Sequence, residues 1–212
     1  MDNINVYYTK LNSNFSKEKF DVYYNELPNI LKNKIDRLIR YKPKLHSLIG
    51  IKLLSIALND YHFTKEILEE IQYLEDGKPY IPNTFSFNIS HSESIIICAC
   101  YKSSIGIDIE KIKPRNIDKL VTFLSKDEYA RLSISKKQDH LFAEIWTQKE
   151  AFSKSISKGM NLSFANIKIN NLTISYNNNS WHLYPLNIDD EYSCHICISD
   201  GGQDVNLREI SL

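Results

Sequence analysis

The chain has 212 residues, enough for one domain or two small ones, and its 42% hydrophobic content with 13 Tyr and 9 Phe supplies a packed core. Its 26 Lys plus Arg balance 26 Asp plus Glu, which removes support for a global nucleic-acid or membrane footprint, so any basic site has to be local. No apolar run approaches the roughly twenty residues of a membrane span, and residues 1–10 lack the apolar centre of a signal peptide, so a cytoplasmic location is expected.

In chain order, residues 4–8 read as a strand. Leu27, Ile30, Leu31, Ile35, Leu38 and Ile39 then recur at helical steps. The opposite side of this stretch is basic: Lys32, Lys34, Arg37, Arg40, Lys42, Lys44 and Lys52 stand against one acid, Asp36. That is either a solvated helix face or, in a neutral chain, a local anion cradle. Leu45, Leu48, Ile49, Leu53, Ile56 and Ala57 continue as a buried helix, and Thr64 is placed to cap a short one over residues 65–70. Residues 71–74 read as a strand turning at Asp76-Gly77, with Lys78-Pro79 directly after it. Strands are expected over residues 85–89 and 95–101, with Ser90, His91, Ser92, Glu93 and Ser94 between them. Cys98, Cys100, Cys194 and Cys197 lie in apolar strand-like runs, which favours buried free thiols over a zinc site.

The hexapeptide Ile105-Gly106-Ile107-Asp108-Ile109-Glu110 alternates, so its three Ile share one face and Asp108 and Glu110 the other. Adjacent carboxylates call for a cation or for protonation. Beyond an apolar cluster at Leu120, Val121, Phe123 and Leu124, which fits either core or a docking surface, Ser125-Lys126-Asp127-Glu128 matches a capping box. Residues 139–157 form a long helix, and Lys158-Gly159 is expected to end it with Gly in the left-handed position. On that helix Trp146, Glu150 and Lys154 are spaced by four. Bringing Asp108, Glu110, Glu150 and Lys154 together would make a phosphate-handling Mg²⁺ site. A half-solvated strand beside a surface helical pair accounts for the same residues. Strand-like runs at 165–169, 172–176, 181–186, 192–198 and 205–210, joined by short turns, read as one antiparallel sheet.

Phe87-Asn88-Ile89-Ser90-His91-Ser92, then Ile-Gly-Ile-Asp-Ile-Glu, then Trp146-Thr147-Gln148-Lys149-Glu150-Ala151-Phe152-Ser153-Lys154 together resemble the ordered motifs of the 4′-phosphopantetheinyl transferases. The likeness is to the surfactin-synthetase-activating type, a monomer of two similar halves, and it covers most of the chain. It implies an α+β fold of pseudo-two-fold halves, each a small antiparallel sheet packed by helices, with coenzyme A in the cleft between them. The implied units are 1–103, which binds coenzyme A, and 104–212, which carries the Mg²⁺ and catalytic residues. The implied reaction moves 4′-phosphopantetheine from coenzyme A to a serine of an apo acyl or peptidyl carrier protein of nonribosomal peptide or polyketide assembly, releasing adenosine 3′,5′-bisphosphate. Asp108, Glu110 and Glu150 would hold the metal, with Glu128 as an outer ligand. Glu150 would take the serine proton directly or through a metal-bound water, and Lys154 would meet the phosphate. Coenzyme A would also touch Lys32, Lys44, Lys78, Pro79, Ser90, Lys149 and, through its 3′-phosphate, His91. His46 stands where the family has an Arg, so charge there is expected to fade as pH rises past about 6.5. A coenzyme A or carrier-protein binding module, or a Mg²⁺-dependent hydrolase of the same pyrophosphate, are the competing readings.

Overall fold

In the computed structural model, which describes residues 2–12, 15–159 and 162–212, the apolar run Ile95–Tyr101 becomes β5, a strand buried on both faces. Ile96, Cys98 and Cys100 enter one hydrophobic cluster, and Ile95, Ile97, Ala99 and Tyr101 enter another. β5 pairs antiparallel with β1 (Ile4–Lys10) on one side and β4 (Ser86–Ser92) on the other. With β11 (Val205–Glu209) added at the edge, the first sheet runs β11-β1-β5-β4. Its outer face is covered by α1 (Lys17–Asn25), α2 (Asn29–Asp36) and the long α3 (Tyr41–Asp60). A two-residue hairpin pair, β2 (Gln72–Tyr73) and β3 (Pro79–Tyr80), turns through Gly77 at φ +86°, a conformation that favours glycine.

The second sheet is antiparallel and runs β6-β10-β9-β8-β7, from β6 (Ile105–Lys111) and β10 (Tyr192–Ile198) through β9 (Asn179–Pro185) and β8 (Thr173–Tyr176) to β7 (Ile169–Asn170). Ile105, Ile107 and Ile109 join Ile4, Val6 and the inner residues of β5 in a core shared by both sheets. The opposite face of β6 and β10 takes α5 (Gln138–Ser155), which is preceded by the short α4 (Lys126–Ile134). The two sheets meet along a seam between β4 and β6. There the Asn88 side chain accepts from the Ile107 backbone N–H at 2.9 Å, and Ser92 accepts from that of Lys111 at 3.0 Å.

The α+β architecture matches the expectation, but the last strand does not. Residues 205–210 were expected to extend the antiparallel sheet that precedes them. Instead β11 pairs parallel with β1, from Ile4↔Val205 to Tyr8↔Glu209. The physical reason is an edge: β1 offers a row of unpaired backbone groups that the last strand satisfies, while Ile210 is buried behind it. Segment 104–212 therefore contributes to both sheets. The end of α5 also differs: Ser157, at φ +53°, occupies the left-handed position, and the Lys158 N–H returns to the Ser153 carbonyl. Gly159 is left-handed too, at φ +53° as expected, but lies two residues beyond the turn that ends the helix. The cluster at 120–124 belongs mostly to core, with Leu124 buried and Phe123 edge-on to Trp146, while Val121 is exposed.

Candidate active site

Alternation in β6 turns Asp108 and Glu110 away from the shared core and toward α5, and Gly106 decides how near that helix comes. A Cβ on Gly106 would collide with the Ala151 carbonyl oxygen and the Ser155 backbone nitrogen. Backbone thus lies on backbone, and Lys154 reaches β6. Its ammonium donates to Asp108 Oδ1 at 2.6 Å, to Ser90 Oγ at 3.2 Å and to the Ile107 carbonyl at 3.3 Å. Ser90 in turn donates to Asp108 Oδ1 at 2.9 Å. Asp108 is 5% exposed, and its other oxygen, Oδ2, is buried with no partner among the described residues. An unmatched buried carboxylate oxygen is costly and marks a place where a cation or donor would be welcome.

Glu110, the next residue on that face, accepts from Arg115 at 3.0 Å and from Ser92 at 3.4 Å. Burial raises the Glu110 carboxyl above the usual range and Asp108 adds to this, against Arg115 and Lys113. Burial likewise raises Glu150, where Lys154 opposes the shift while Asp108 and Glu110 reinforce it. The three carboxylates therefore share one electrostatic neighbourhood. Among the described residues, however, no three His, Cys, Asp or Glu side chains stand as a closed ligand set. Two of the carboxylates face cations of the protein itself, Lys154 and Arg115. In donor chemistry a set of carboxylates suits a hard cation such as Mg²⁺, and Asp108 Oδ2 is the oxygen left without a partner among the described residues.

A second contact holds α5 in place. Directly across from Asp108 on β10 is His195, buried, whose Nδ1 lies 2.8 Å from the Thr147 hydroxyl. Thr147 also meets Ser193 Oγ at 2.9 Å and donates back to the Ala143 carbonyl at 2.8 Å. Burial pushes His195 down to about 4, so the ring is neutral and serves as a hydrogen-bonding strut. Gly106, Arg115 and His195 were not singled out by the sequence as site-shaping residues. Only Gly106, inside the hexapeptide, carried a signal that could have been read.

On β4 the same alternation splits the Asn88-Ile89-Ser90-His91-Ser92 stretch. Asn88, Ser90 and Ser92 face β6 across the seam, whereas His91 turns to α3 and packs against His46 with ring centroids 4.5 Å apart. Burial, with the neighbouring His91 and Lys42, pushes His46 down to about 4. The expected fading of charge near 6.5 is therefore corrected: His46 is already neutral there. Burial and Lys154 also hold His91 below the usual imidazole value. Ser90 bonds to both Lys154 and Asp108, and His91 lies within their electrostatic reach, so the β4 stretch and the β6–α5 stretch do meet.

Lys78 is a strut across the seam. Its ammonium donates to the Ile105 carbonyl at 2.9 Å and to the Lys154 carbonyl at 2.7 Å, tying the hairpin to the start of β6 and the end of α5. Burial lowers it to about 8. Pro79 next to it begins β3. Lys32 sits apart from this group, donating to the Asn25 carbonyl at 3.0 Å and lying over Tyr24. Lys44 is half-buried on the first turn of α3.

Burial bears on two further expectations. Lys149 is 1% exposed and its ammonium is spent inside segment 123–164, on Glu128 at 2.5 Å and on the carbonyls of Phe164 at 2.8 Å and Phe123 at 3.2 Å. It has no surface to offer coenzyme A. Its partner Glu128 completes the capping box with Ser125, so its Oε2 is shared between a helix end and a buried ion pair, and none of Asp108, Glu110 or Glu150 is among its bonded partners. The four cysteines are buried free thiols spread over three clusters, which leaves no zinc quartet.

Comparison with known proteins agrees with this geometry. The model of the 4′-phosphopantetheinyl transferase superfamily matches residues 104–205. A protein of Aneurinibacillus migulanus, "4′-phosphopantetheinyl transferase gsp", is 31% identical over 80% of this chain and 76% of its own. "4′-phosphopantetheinyl transferase Sfp" of Bacillus subtilis is 32% identical over 74% of this chain and 72% of its own. A shorter match, to "4′-phosphopantetheinyl transferase psf-1" of Bacillus pumilus, is 38% identical over 40% of this chain and 38% of its own.

Proposed function

The chain belongs to the 4′-phosphopantetheinyl transferase superfamily, and we propose that it moves the 4′-phosphopantetheine group of coenzyme A to a serine of an apo carrier protein in a Mg²⁺-dependent reaction. The observation that carries this reading is the convergence, across the β4–β6 seam, of Lys154 on Asp108 and Ser90, with Glu110 and Glu150 alongside. In the balanced reaction the serine oxygen forms a bond to the β-phosphorus of coenzyme A, and the pyrophosphate bond breaks. Adenosine 3′,5′-bisphosphate leaves with the bridging oxygen.

Asp108, Glu110 and Glu150 would hold the Mg²⁺, which when bound supplies charge neutralisation at the pyrophosphate. The chain's own residues account for the rest. The Lys154 ammonium is held within reach of the site by Asp108 and Ser90, where it can stabilise phosphate oxygens as negative charge develops. Glu150, with its affinity for a proton raised by burial, is the group suited to accept the serine proton. Ser90 and the His91–His46 pair stand on the coenzyme side of the seam, next to the basic start of α3. The pseudo-two-fold relation of units 1–103 and 104–212, with coenzyme A between them, belongs to the same proposal. So does action as a cytoplasmic monomer without a nucleic-acid or membrane partner; no described helix is long and apolar enough to cross a membrane.

Incubation with coenzyme A, Mg²⁺ and a panel of apo carrier proteins should add the mass of phosphopantetheine to one or more of them. Asp108→Ala should lower the transfer rate by about three orders of magnitude, because it removes both the orphaned oxygen and the anchor of Lys154, with far-ultraviolet circular dichroism unchanged. A variant that transfers at the wild-type rate under limiting Mg²⁺ would sink the assignment of the site.

A further inference from the structure

Glu110 is not waiting for a cation with a free carboxylate. Arg115, five residues on, returns across the end of β6 and donates from its guanidinium to Glu110 Oε2 at 3.0 Å. The Arg115 side chain is fixed at both ends. Its backbone N–H donates to Asp139 Oδ1 at 3.3 Å, at the start of α5, and the guanidinium carbon lies 5.4 Å from the centre of the Phe142 ring. Both side chains of the pair are about a quarter exposed, 24% for Arg115 and 26% for Glu110, so the contact is sheltered yet open to exchange. Lys113 presents a similar charge nearby but is spent on Glu93 at 3.7 Å.

We propose that Arg115 is a positioning residue that stands in for the metal at Glu110 and competes with it. When no cation is present, the guanidinium neutralises Glu110 beside Asp108, so the paired carboxylates on β6 need neither protonation nor metal for the protein to fold. Cation binding at Glu110 displaces the guanidinium, which keeps its stacking on Phe142 and its anchor on α5. The Asp108 end of the site is held in the same manner by Lys154. Each residue of the acidic strand thus has an internal cation opposite it. This inference rests on the Mg²⁺ reading of the site and adds a regulator of its occupancy.

Direct binding of Mn²⁺, a paramagnetic substitute for Mg²⁺, to the purified full chain without coenzyme A tests it, with electron paramagnetic resonance counting the free ion. Arg115→Gln should bind Mn²⁺ about fivefold more tightly than the wild type, the scale of one sheltered ion pair. Removing any positive charge nearby would also tighten binding somewhat, so the decisive readout is coupling. In a Glu110→Gln background, Arg115→Gln should gain little, because the competition has lost its object. Lys113→Gln, which removes a neighbouring charge that is not bonded to Glu110, should gain less than Arg115→Gln. The metal-free melting temperature should fall in Arg115→Gln and recover on adding Mn²⁺. Equal Mn²⁺ affinity in the wild type and Arg115→Gln, or an equal gain in both backgrounds, overturns the competition while leaving the metal site in place. Absence of Mn²⁺ binding in every variant overturns the metal reading and this inference with it.

Discussion

His46 is proposed to stand on the coenzyme side of the seam, and its surroundings hold the ring neutral. The ring is 5% exposed, packed at a tilt against His91 and close to Lys42, and each of these opposes protonation more strongly than Glu93 favours it, which leaves its pKa at about 4. Below that value the ring is charged, and above it neutral, so over the range from pH 6 to 8.5 the folded protein gains and loses no proton here. Coenzyme A affinity should therefore carry no pH dependence from His46 in this window. The ligand's own phosphate monoester gains charge near pH ~6, so the test is a comparison: wild type and His46→Gln should show parallel affinity profiles by calorimetry. A wild-type profile that falls with pH while that of His46→Gln stays flat would mean that the ring titrates near neutrality after all. Lys149 teaches the same lesson in reverse. In the sequence it is one more lysine in a motif that also holds Glu150 and Lys154, and nothing in its spacing says that its ammonium closes on Glu128 and two carbonyls of segment 123–164. Sequence periodicity distinguishes the faces of a helix, but it is blind to which polar residue has a buried partner.

At the scale of elements, the site depends on the separation of α5 from β6, and one missing side chain sets it. The sequence made Asp108, Glu110, Glu150 and Lys154 legible as a group because two periodicities, two for the strand and about 3.6 for the helix, each put acids or a lysine on a single face. What it could not show was the distance between those faces. Gly106 supplies that distance, with Thr147 and His195 holding the helix at its upper turns. Gly106→Ala should force a backbone-to-backbone clash that no rotamer can relieve. A loss of about 3 kcal/mol is expected, at the top of the usual range for overpacking, together with loss of transfer in whatever fraction stays folded. Chemical denaturation followed by fluorescence of the 2 Trp measures the first, and the carrier mass shift measures the second. A stable and active Gly106→Ala protein would show that α5 can slide, and that the close approach is not what aligns Lys154 with Asp108.

At the scale of the whole molecule, local patterns announced the strands but not their partners. β5 was readable as a strand from its apolar run, and β6 from its alternation. Neither pattern says that their inner faces form one core, because any two apolar faces satisfy the same rule. The parallel pairing of β11 with β1 is the clearest instance, since residues so far apart in sequence share no local signal. That strand contributes no side chain to the Asp108 site, yet it ties the end of the chain to the first sheet. The backbone of Ile4 donates to the Asp204 carbonyl at 2.9 Å, that of Ile210 donates to the Tyr8 carbonyl at 2.8 Å, and Arg208 meets Asp60 at 2.7 Å. Deleting residues 205–212 would uncover the β1 edge and expose the core beside Ile210, which is 9% exposed in the intact fold. We expect a loss of about 4 kcal/mol, from one large buried aliphatic side chain and several ladder hydrogen bonds. The bared edge should also favour self-association, visible by light scattering. Because the site is built on β4, β6 and α5, the truncated protein should keep its transfer rate per folded molecule when assayed well below its melting temperature. If stability falls and that rate falls equally at low temperature, β11 must also set the angle between the sheets, and with it the width of the seam that holds the site.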